Sequence, residues 1–294
     1  MSVARVLWGL IIALGAGCVG LAQVSVVATT SIVGSVVQAV GGERITLTVL
    51  FPPGTDPHTF EPTPRDLLAL TRARLIFVNG LGLEERLLDL LAAAEFSAKV
   101  VTVSDGVEVL AADHGQGGDP GESVDPHVWL DPLRVLVWVD NVERALGRAD
   151  PGGAVYFAHR AQEFRARLQA LHQEVLTLVG GLPPERKILV TDHWAFGYFA
   201  ERYGFVPAAA LVSSFSSLAE PSPRELVEVQ EKIRSFGVPA IFVAPTFNPA
   251  LAQAVAREAG VRLVILAYEG LLPGQDYFDW FRGLVVQIVE ALSG

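Results

Sequence analysis

Between Ala154 and Leu178 the chain runs 25 residues without a proline or glycine, and on both sides of that stretch short aliphatic runs alternate with amphipathic ones. Asp150-Pro151 supplies a helix start, and Gly180-Gly181 with Pro183-Pro184 supplies a stop. At 1.5 Å per residue the segment between them predicts one helix about 38 Å long. Upstream, Val24–Ala28, Ile45–Val49, Leu75–Val78 and Lys99–Val103 read as buried strands, with helices near Ser31–Val40, Pro64–Thr71, Glu84–Ala94 and Pro132–Arg148. Downstream the strands are Lys187–Thr191, Ala208–Val212, Ala240–Val243 and Arg262–Leu266. The helices there lie near Ala195–Tyr203, Pro223–Ser235, Pro249–Ala259 and Tyr277–Ala291. Strand–helix alternation of this kind builds parallel sheets. The expected fold is therefore α/β with two lobes, each a parallel sheet flanked by helices, at residues 23–150 and 182–294. A rigid connecting helix at 151–181 limits hinge motion between them.

A chain of 294 residues with 51% hydrophobic and 18% charged residues can fill two cores of this size. Its net charge of −10 argues against nucleic acid, which requires clustered Lys and Arg, and suits a cation. Residues 1–22 read as an export signal: Arg5 is the only charge before the apolar run Val6–Ala22. Cleavage after Ala22 is one route. Gly15-Ala16-Gly17-Cys18 resembles a lipobox, with Gly15 where a large aliphatic residue is usual, so cleavage before Cys18 with lipid attachment is the other, and an uncleaved N-terminal membrane anchor is a third. The expected location is periplasmic or otherwise extracytoplasmic. Cys18 is the only cysteine, which excludes a disulfide within the chain and a sulfur-ligated metal.

Three of the six histidines sit beside an acidic residue or one proline from it, in Asp56-Pro57-His58, Asp125-Pro126-His127 and Asp192-His193. Each has an aromatic residue within two positions downstream: Phe60, Trp129 and Trp194. An imidazole that binds metal through one nitrogen needs an acceptor for the other N–H, and a neighbouring carboxylate supplies it while rings exclude water. Asp56, Asp125 and Asp192 are the candidates for that supporting role. Asp-Pro and Asp-His also occur as plain turn and cap sequences, which is the competing reading of each alone. His58 and His193 fall just past predicted strands, as does Glu269, where α/β sheets bind ligands. His127 precedes the Pro132–Arg148 helix. Two candidates come from each half, which places a site in the cleft between the lobes. His159 and His172, about 220° apart around the long helix, read as surface or packing residues.

The whole mature chain resembles the zinc- and manganese-binding receptor proteins of ABC-type metal importers. The resemblance is carried by Val27-Ala28-Thr29-Thr30-Ser31-Ile32, Pro57-His58-Thr59-Phe60-Glu61-Pro62-Thr63-Pro64 and Phe77-Val78-Asn79-Gly80-Leu81-Gly82-Leu83-Glu84. It continues through Asp125-Pro126-His127-Val128-Trp129-Leu130-Asp131-Pro132, His193-Trp194-Ala195-Phe196-Gly197-Tyr198-Phe199 and Glu220-Pro221-Ser222-Pro223. It implies two α/β lobes joined by a long helix, His58, His127 and His193 as ligands, and Glu269 at a position more often occupied by Asp. Glu269 then coordinates directly or through water. The implied partner is a membrane permease, and the receptor is expected to act as a monomer.

Three imidazoles and one carboxylate suit tetrahedral Zn²⁺ better than Mn²⁺, which prefers more oxygen. Zinc is the expected metal, supported by His193 where manganese receptors of the family often carry Glu; Mn²⁺ or Fe²⁺ is the alternative. Affinity is expected to fall below about pH 6 as the three imidazoles protonate together. The Gly-rich acidic segment Ala111–Ser123 has only His114 where zinc-selective relatives have a longer His-rich loop, so it reads as a plain mobile loop in preference to an auxiliary metal-loading arm, the alternative that its position next to His127 offers. A zinc hydrolase with Asp192 or Glu61 as base is the rival reading. The chain has no H-E-x-x-H, G-x-S-x-G or G-x-x-x-x-G-K motif, and no catalytic residue is assigned. Family members are also credited as adhesins, for which these residues offer no separate argument.

Overall fold

The computed structural model describes residues 23–52, 55–58, 60–110, 124–215 and 221–294. The expected export segment 1–22 with Cys18, and the loop Ala111–Ser123 with His114, lie outside the described residues. Strands β1 (Val24–Ala28), β2 (Ile45–Val49), β3 (Leu75–Val78) and β4 (Val100–Thr102) form one parallel sheet in the order β2-β1-β3-β4. Strands β5 (Ile188–Thr191), β6 (Val206–Ala210), β7 (Ala240–Val243) and β8 (Arg262–Ile265) form a second in the order β6-β5-β7-β8. In each sheet the strand order reverses at the first strand, β1 or β5. The crevice at the carboxyl ends of β1 and β3, and of β5 and β7, is where such sheets bind ligands.

The helices are α1 (Ser31–Gly41), α2 (Pro64–Arg72), α3 (Glu85–Ala93), α4 (Val135–Ala149), α5 (Ala154–Gly180), α6 (Gly197–Tyr203), α7 (Pro223–Phe236), α8 (Pro249–Ala259) and α9 (Tyr277–Ser293). Their starts follow from local chemistry. Thr30 caps α1 by accepting the Val33 N–H, and Thr63/Asp66 and Ser222/Glu225 form capping boxes at α2 and α7. Asp150 takes the Gly153 N–H at 3.2 Å, holding a short 3-10 turn at Pro151–Gly153 from which α5 begins. At 27 residues α5 is about 40 Å long. Its apolar stripe of Phe157, Ala161, Phe164, Leu168, Leu171, Val175 and Val179 recurs every three or four residues and is fully buried.

That stripe packs on α1 and α4 from the first half and on α9 from the second. One continuous buried cluster therefore runs from Val26 and Phe77 through α5 to Phe242 and Phe281. Polar contacts cross the same boundary. Asp131, wholly buried, accepts from Arg134 Nη1 at 2.8 Å and from Arg202 Nε at 2.9 Å, and Arg134 also reaches Glu201 at 2.6 Å. Trp129 Nε1 donates to the Tyr268 carbonyl at 2.9 Å, and Tyr277 Oη donates to the Trp129 carbonyl at 2.8 Å. His159 is exposed beside Glu163 and His172 packs near Tyr203, so neither belongs to the histidine cluster described below.

Three elements start two or more residues away from the sequence reading. The sixth strand is Val206–Ala210, two residues earlier than expected, and so contains Pro207. It lies at the edge of its sheet, where a missing N–H costs no ladder bond, and a register shift opposite Leu189/Val190 absorbs the proline. Helix α4 starts at Val135 because Asp131 Oδ1 takes the Leu133 N–H and holds residues 131–134 in a turn. Helix α6 starts at Gly197 because the His193 carbonyl accepts from the Ala195 N–H and from Thr191 Oγ1, turning the chain before it can coil.

Candidate metal centre

His58 lies in the loop that leaves β2. Its backbone N–H donates to Asp56 Oδ1 at 2.9 Å, which tightens the turn, and Phe60 packs on Phe51 with ring centroids 4.1 Å apart. His127 lies just ahead of Val128–Leu130, a short 3-10 turn. Asp125 Oδ1 accepts both the His127 backbone N–H at 2.9 Å and its ring Nδ1–H at 2.7 Å. His193 follows β5 directly, with its backbone N–H on Asp192 Oδ1 at 2.9 Å. Glu269 follows β8, and Thr246 Oγ1 donates to its Oε2 at 3.1 Å.

These four residues, far apart in sequence, converge. One ring nitrogen from each of His58, His127 and His193 lies within 4.8 Å of the other two. His127 Nε2 and His193 Nε2 face each other at 3.2 Å, and Glu269 Oε1 is 3.8 Å from His193 Nε2. The tautomers follow from the far side of each ring. A carboxylate can only accept, so Asp125 fixes the proton of His127 on Nδ1. Tyr268 Oη donates to Asp192 Oδ1 and lies 3.1 Å from His193 Nδ1, which gives that N–H an acceptor too. With each neutral ring's proton on Nδ1, both Nε2 atoms direct lone pairs at one point. Buried His58 Nε2 and Glu269 Oε1 have no hydrogen-bond partner among the described residues. Unpaired buried acceptors are costly, and a cation placed among them satisfies all four.

The electrostatics distinguish the four residues. Burial, reinforced by His127 and His193, lowers the His58 pKa to about 3 against the opposing pull of Asp56. Burial and the neighbouring His193 likewise hold His127 well below its ordinary value. His193 behaves oppositely: burial disfavours its charge, yet Asp192, the hydrogen bond to it, Glu269 and Asp56 together raise its pKa. Burial lifts Glu269 to about 8, with Asp56 and Asp192 adding to the rise and His193 opposing it. Among the four residues, His193 and Glu269 therefore hold a proton more readily than His58 and His127 do.

The expected joint titration of the three imidazoles below pH 6 is corrected on this point. Metal binding must displace protons from the coupled His193–Glu269 pair. Affinity should accordingly rise with pH through the range around 8 in which Glu269 ionises, changing about tenfold per unit for each displaced proton. Competition against a chelator of known pH behaviour measures it. A flat profile between pH 6 and 8 would exclude the pair as the proton source.

Of the supporting acids, Asp125 and Asp192 occupy the positions foreseen for them, each at the Nδ1 side of its histidine. Asp56 does not take the equivalent position. Its carboxylate lies with His58 and Glu269 in a second group of potential donors whose atoms are within 4.8 Å of one another. Trp129 packs against His127 at 5.1 Å as its position suggested, whereas Phe60 pairs with Phe51 and Trp194 lines a hollow with Ala210, Ser213 and Val229. Tyr268 lies beside His193 at 5.7 Å, and its adjacency to Glu269 was the one available signal for it. The carboxylate of buried Glu84 was not singled out either. It accepts from Thr29 Oγ1, Asn79 N and Gly80 N, while Asn79 Nδ2 donates to the Pro126 carbonyl next to His127. Gly80 at φ +84° is obligatory there, since a Cβ would meet Thr102 Cγ2 at 2.3 Å.

A family described as zinc-uptake complex component A, periplasmic (ZnuA), matches residues 26–291. The chain belongs to this family of metal-binding receptors of ABC importers. The manganese-binding lipoprotein MntA of Halalkalibacterium halodurans is 30% identical over 273 residues, spanning 91% of this chain and 88% of that protein. The manganese ABC transporter substrate-binding lipoprotein PsaA of Streptococcus mitis is 27% identical over 283 residues, spanning 92% and 90%. Among solved structures, the periplasmic zinc binding protein TroA of Treponema pallidum superposes with a TM-score of 0.81 at 29% identity, over 92% of this chain and 99% of that one. A manganese-bound periplasmic metal binding protein of Candidatus Liberibacter asiaticus gives 0.78 at 25% identity, over 92% and 100%. No described helix is long and apolar enough to cross a membrane.

Proposed function

We propose that the chain is an extracytoplasmic receptor that captures one Zn²⁺ between its lobes, at His58, His127, His193 and Glu269, and delivers it to an ABC permease. The observation that carries this reading is the pair of Nε2 lone pairs facing at 3.2 Å, with the opposite side of each ring tied to Asp125 or to Asp192 and Tyr268. Imidazoles oriented in this way are built to ligate, and three of them with one carboxylate match the tetrahedral N/O preference of zinc. Lobes at 23–150 and 182–294 joined by the rigid 151–181 helix, an export signal at 1–22 and lipid attachment at Cys18 complete the proposal. The lipoprotein names of MntA and PsaA support the last of these. A transport role suits ligands that fill the coordination shell, whereas a hydrolase keeps a water position open.

Manganese is the second reading. It is favoured by the names of MntA and PsaA and by the additional oxygen of Asp56 beside the cluster. Metal analysis of the protein lacking residues 1–22, after exposure to equimolar Zn²⁺ and Mn²⁺, tests the choice. One zinc per chain is expected; retention of manganese in preference to zinc would overturn the zinc reading.

A further inference from the structure

We infer that Asp56 is a fifth metal donor, one that Mn²⁺ engages and Zn²⁺ does not, so that this residue sets how broadly the site accepts divalent metals. The inference rests on the receptor reading and deepens it. Its basis is geometric. Asp56, His58 and Glu269 each offer one ligand atom, and those atoms lie within 4.8 Å of one another. His58 also belongs to the three-histidine group, and Glu269 Oε1 is 3.8 Å from His193 Nε2. The two groups therefore adjoin, through His58 which belongs to both and through Glu269 beside His193. Glu269 is more than nine-tenths buried, and its Oε1 has no hydrogen-bond partner among the described residues.

Asp56 shares with Asp125 and Asp192 the bond from its histidine's backbone N–H and differs from them in lacking their close contact with the ring. Asp125 and Asp192 accept hydrogen bonds on the Nδ1 side of their histidines, away from the point where the Nε2 atoms meet. Asp56 accepts from the backbone N–H of His58 at 2.9 Å, which fixes its carboxylate on the same turn as the His58 ring. Two donors two residues apart on one turn move together. Zinc is satisfied by four ligands at about 2.0–2.2 Å, so His58, His127, His193 and Glu269 complete its shell and leave Asp56 outside. Manganese binds more weakly to imidazole and favours oxygen and higher coordination numbers, so it gains from a second carboxylate.

The test uses the chain from residue 23 with Asp56→Asn, which removes the charge but keeps an acceptor for the turn, and with Asp56→Ser as an independent second variant. Affinities for Zn²⁺ and Mn²⁺ are measured separately by chelator competition, and Co²⁺ serves as a spectroscopic probe. Both variants should lose about tenfold or more in manganese affinity, the scale on which groups tuning a metal site act. Zinc affinity should change by less than about threefold, because its four donors remain. The visible absorption of the cobalt complex should intensify as its coordination number falls. Equal losses for the two metals would reassign Asp56 to shaping the turn alone, and no loss for either would remove it from the site; both outcomes overturn the inference. Wild-type protein that binds neither metal tightly would instead overturn the receptor reading beneath it.

Discussion

Replacing His58, His127 or His193 singly with alanine should remove tight metal binding, while Glu269→Ala should leave a weakened but measurable site. Apparent binding energies of four-ligand zinc sites are about 10–16 kcal/mol, or roughly 3 kcal/mol per ligand, which corresponds to a loss of about a hundredfold or more for each histidine. Glu269 contributes less at neutral pH because burial lifts its pKa to about 8. Part of its bond energy is used to expel its own proton, about 1.4 kcal/mol at one pH unit below the pKa. Its removal should therefore cost about tenfold less than removal of His58 or His127, whose rings are held neutral, at pH 7, and the difference should shrink towards pH 9.

The three histidine variants should also separate from one another without metal. His127→Ala leaves Asp125 Oδ1 without its ring donor in a dry site and should lower the metal-free melting temperature. His58→Ala removes a ring whose buried Nε2 has no hydrogen-bond partner and should not lower it. Metal titration and melting curves on the same four proteins decide both points. Tight binding retained by any two histidine variants would dismantle the proposed site, and a Glu269→Ala variant as defective as His58→Ala at pH 7 would make the carboxylate an equal ligand.

Most of this geometry was legible in the chain because the signals were local. Asp-Pro-His and Asp-His place a carboxylate within reach of the histidine's own backbone N–H, and the fold keeps that contact at His58, His127 and His193 alike. Strand–helix alternation foretold the two parallel sheets and placed His58, His193 and Glu269 at carboxyl ends. Asp56 shows where local reasoning ends. The same three-residue motif that makes Asp125 a ring acceptor turns Asp56 towards Glu269, more than two hundred residues away, and only tertiary structure brings Glu269 there. Tyr268 and Glu84 were hidden for a related reason: each works through partners from other elements, so no spacing rule exposes it. The proton balance of the site was equally out of reach, since burial and mutual repulsion reverse the ordinary order of His and Glu pKa values.

Metal should stabilise the protein strongly while changing its overall dimensions little. A cation that joins His58 and His127 to His193 and Glu269, and binds the unfolded chain poorly, contributes about 4 kcal/mol when free metal exceeds its dissociation constant a thousandfold. For a chain of this size that corresponds to a rise in melting temperature of about 10 °C. The structure meanwhile gives the halves little freedom to swing. Helix α5 buries one stripe against α1, α4 and α9 together, so a wide hinge motion would have to expose Phe157, Phe164 and Leu168. It would also break Asp131 from Arg202, leaving it Arg134 alone, and Trp129 from Tyr268, and hydrogen bonds to charged groups are worth about 1.5–3 kcal/mol each. The combined cost is comparable to the whole gain from metal, so binding should proceed by local closure of the His58 loop and of Glu269. Melting curves and small-angle scattering with and without Zn²⁺ measure the two parts together. The expected result is a large melting shift at an unchanged radius of gyration; a marked fall in the radius on binding would show that the helix and the buried ties across the cleft do not act as a rigid connector.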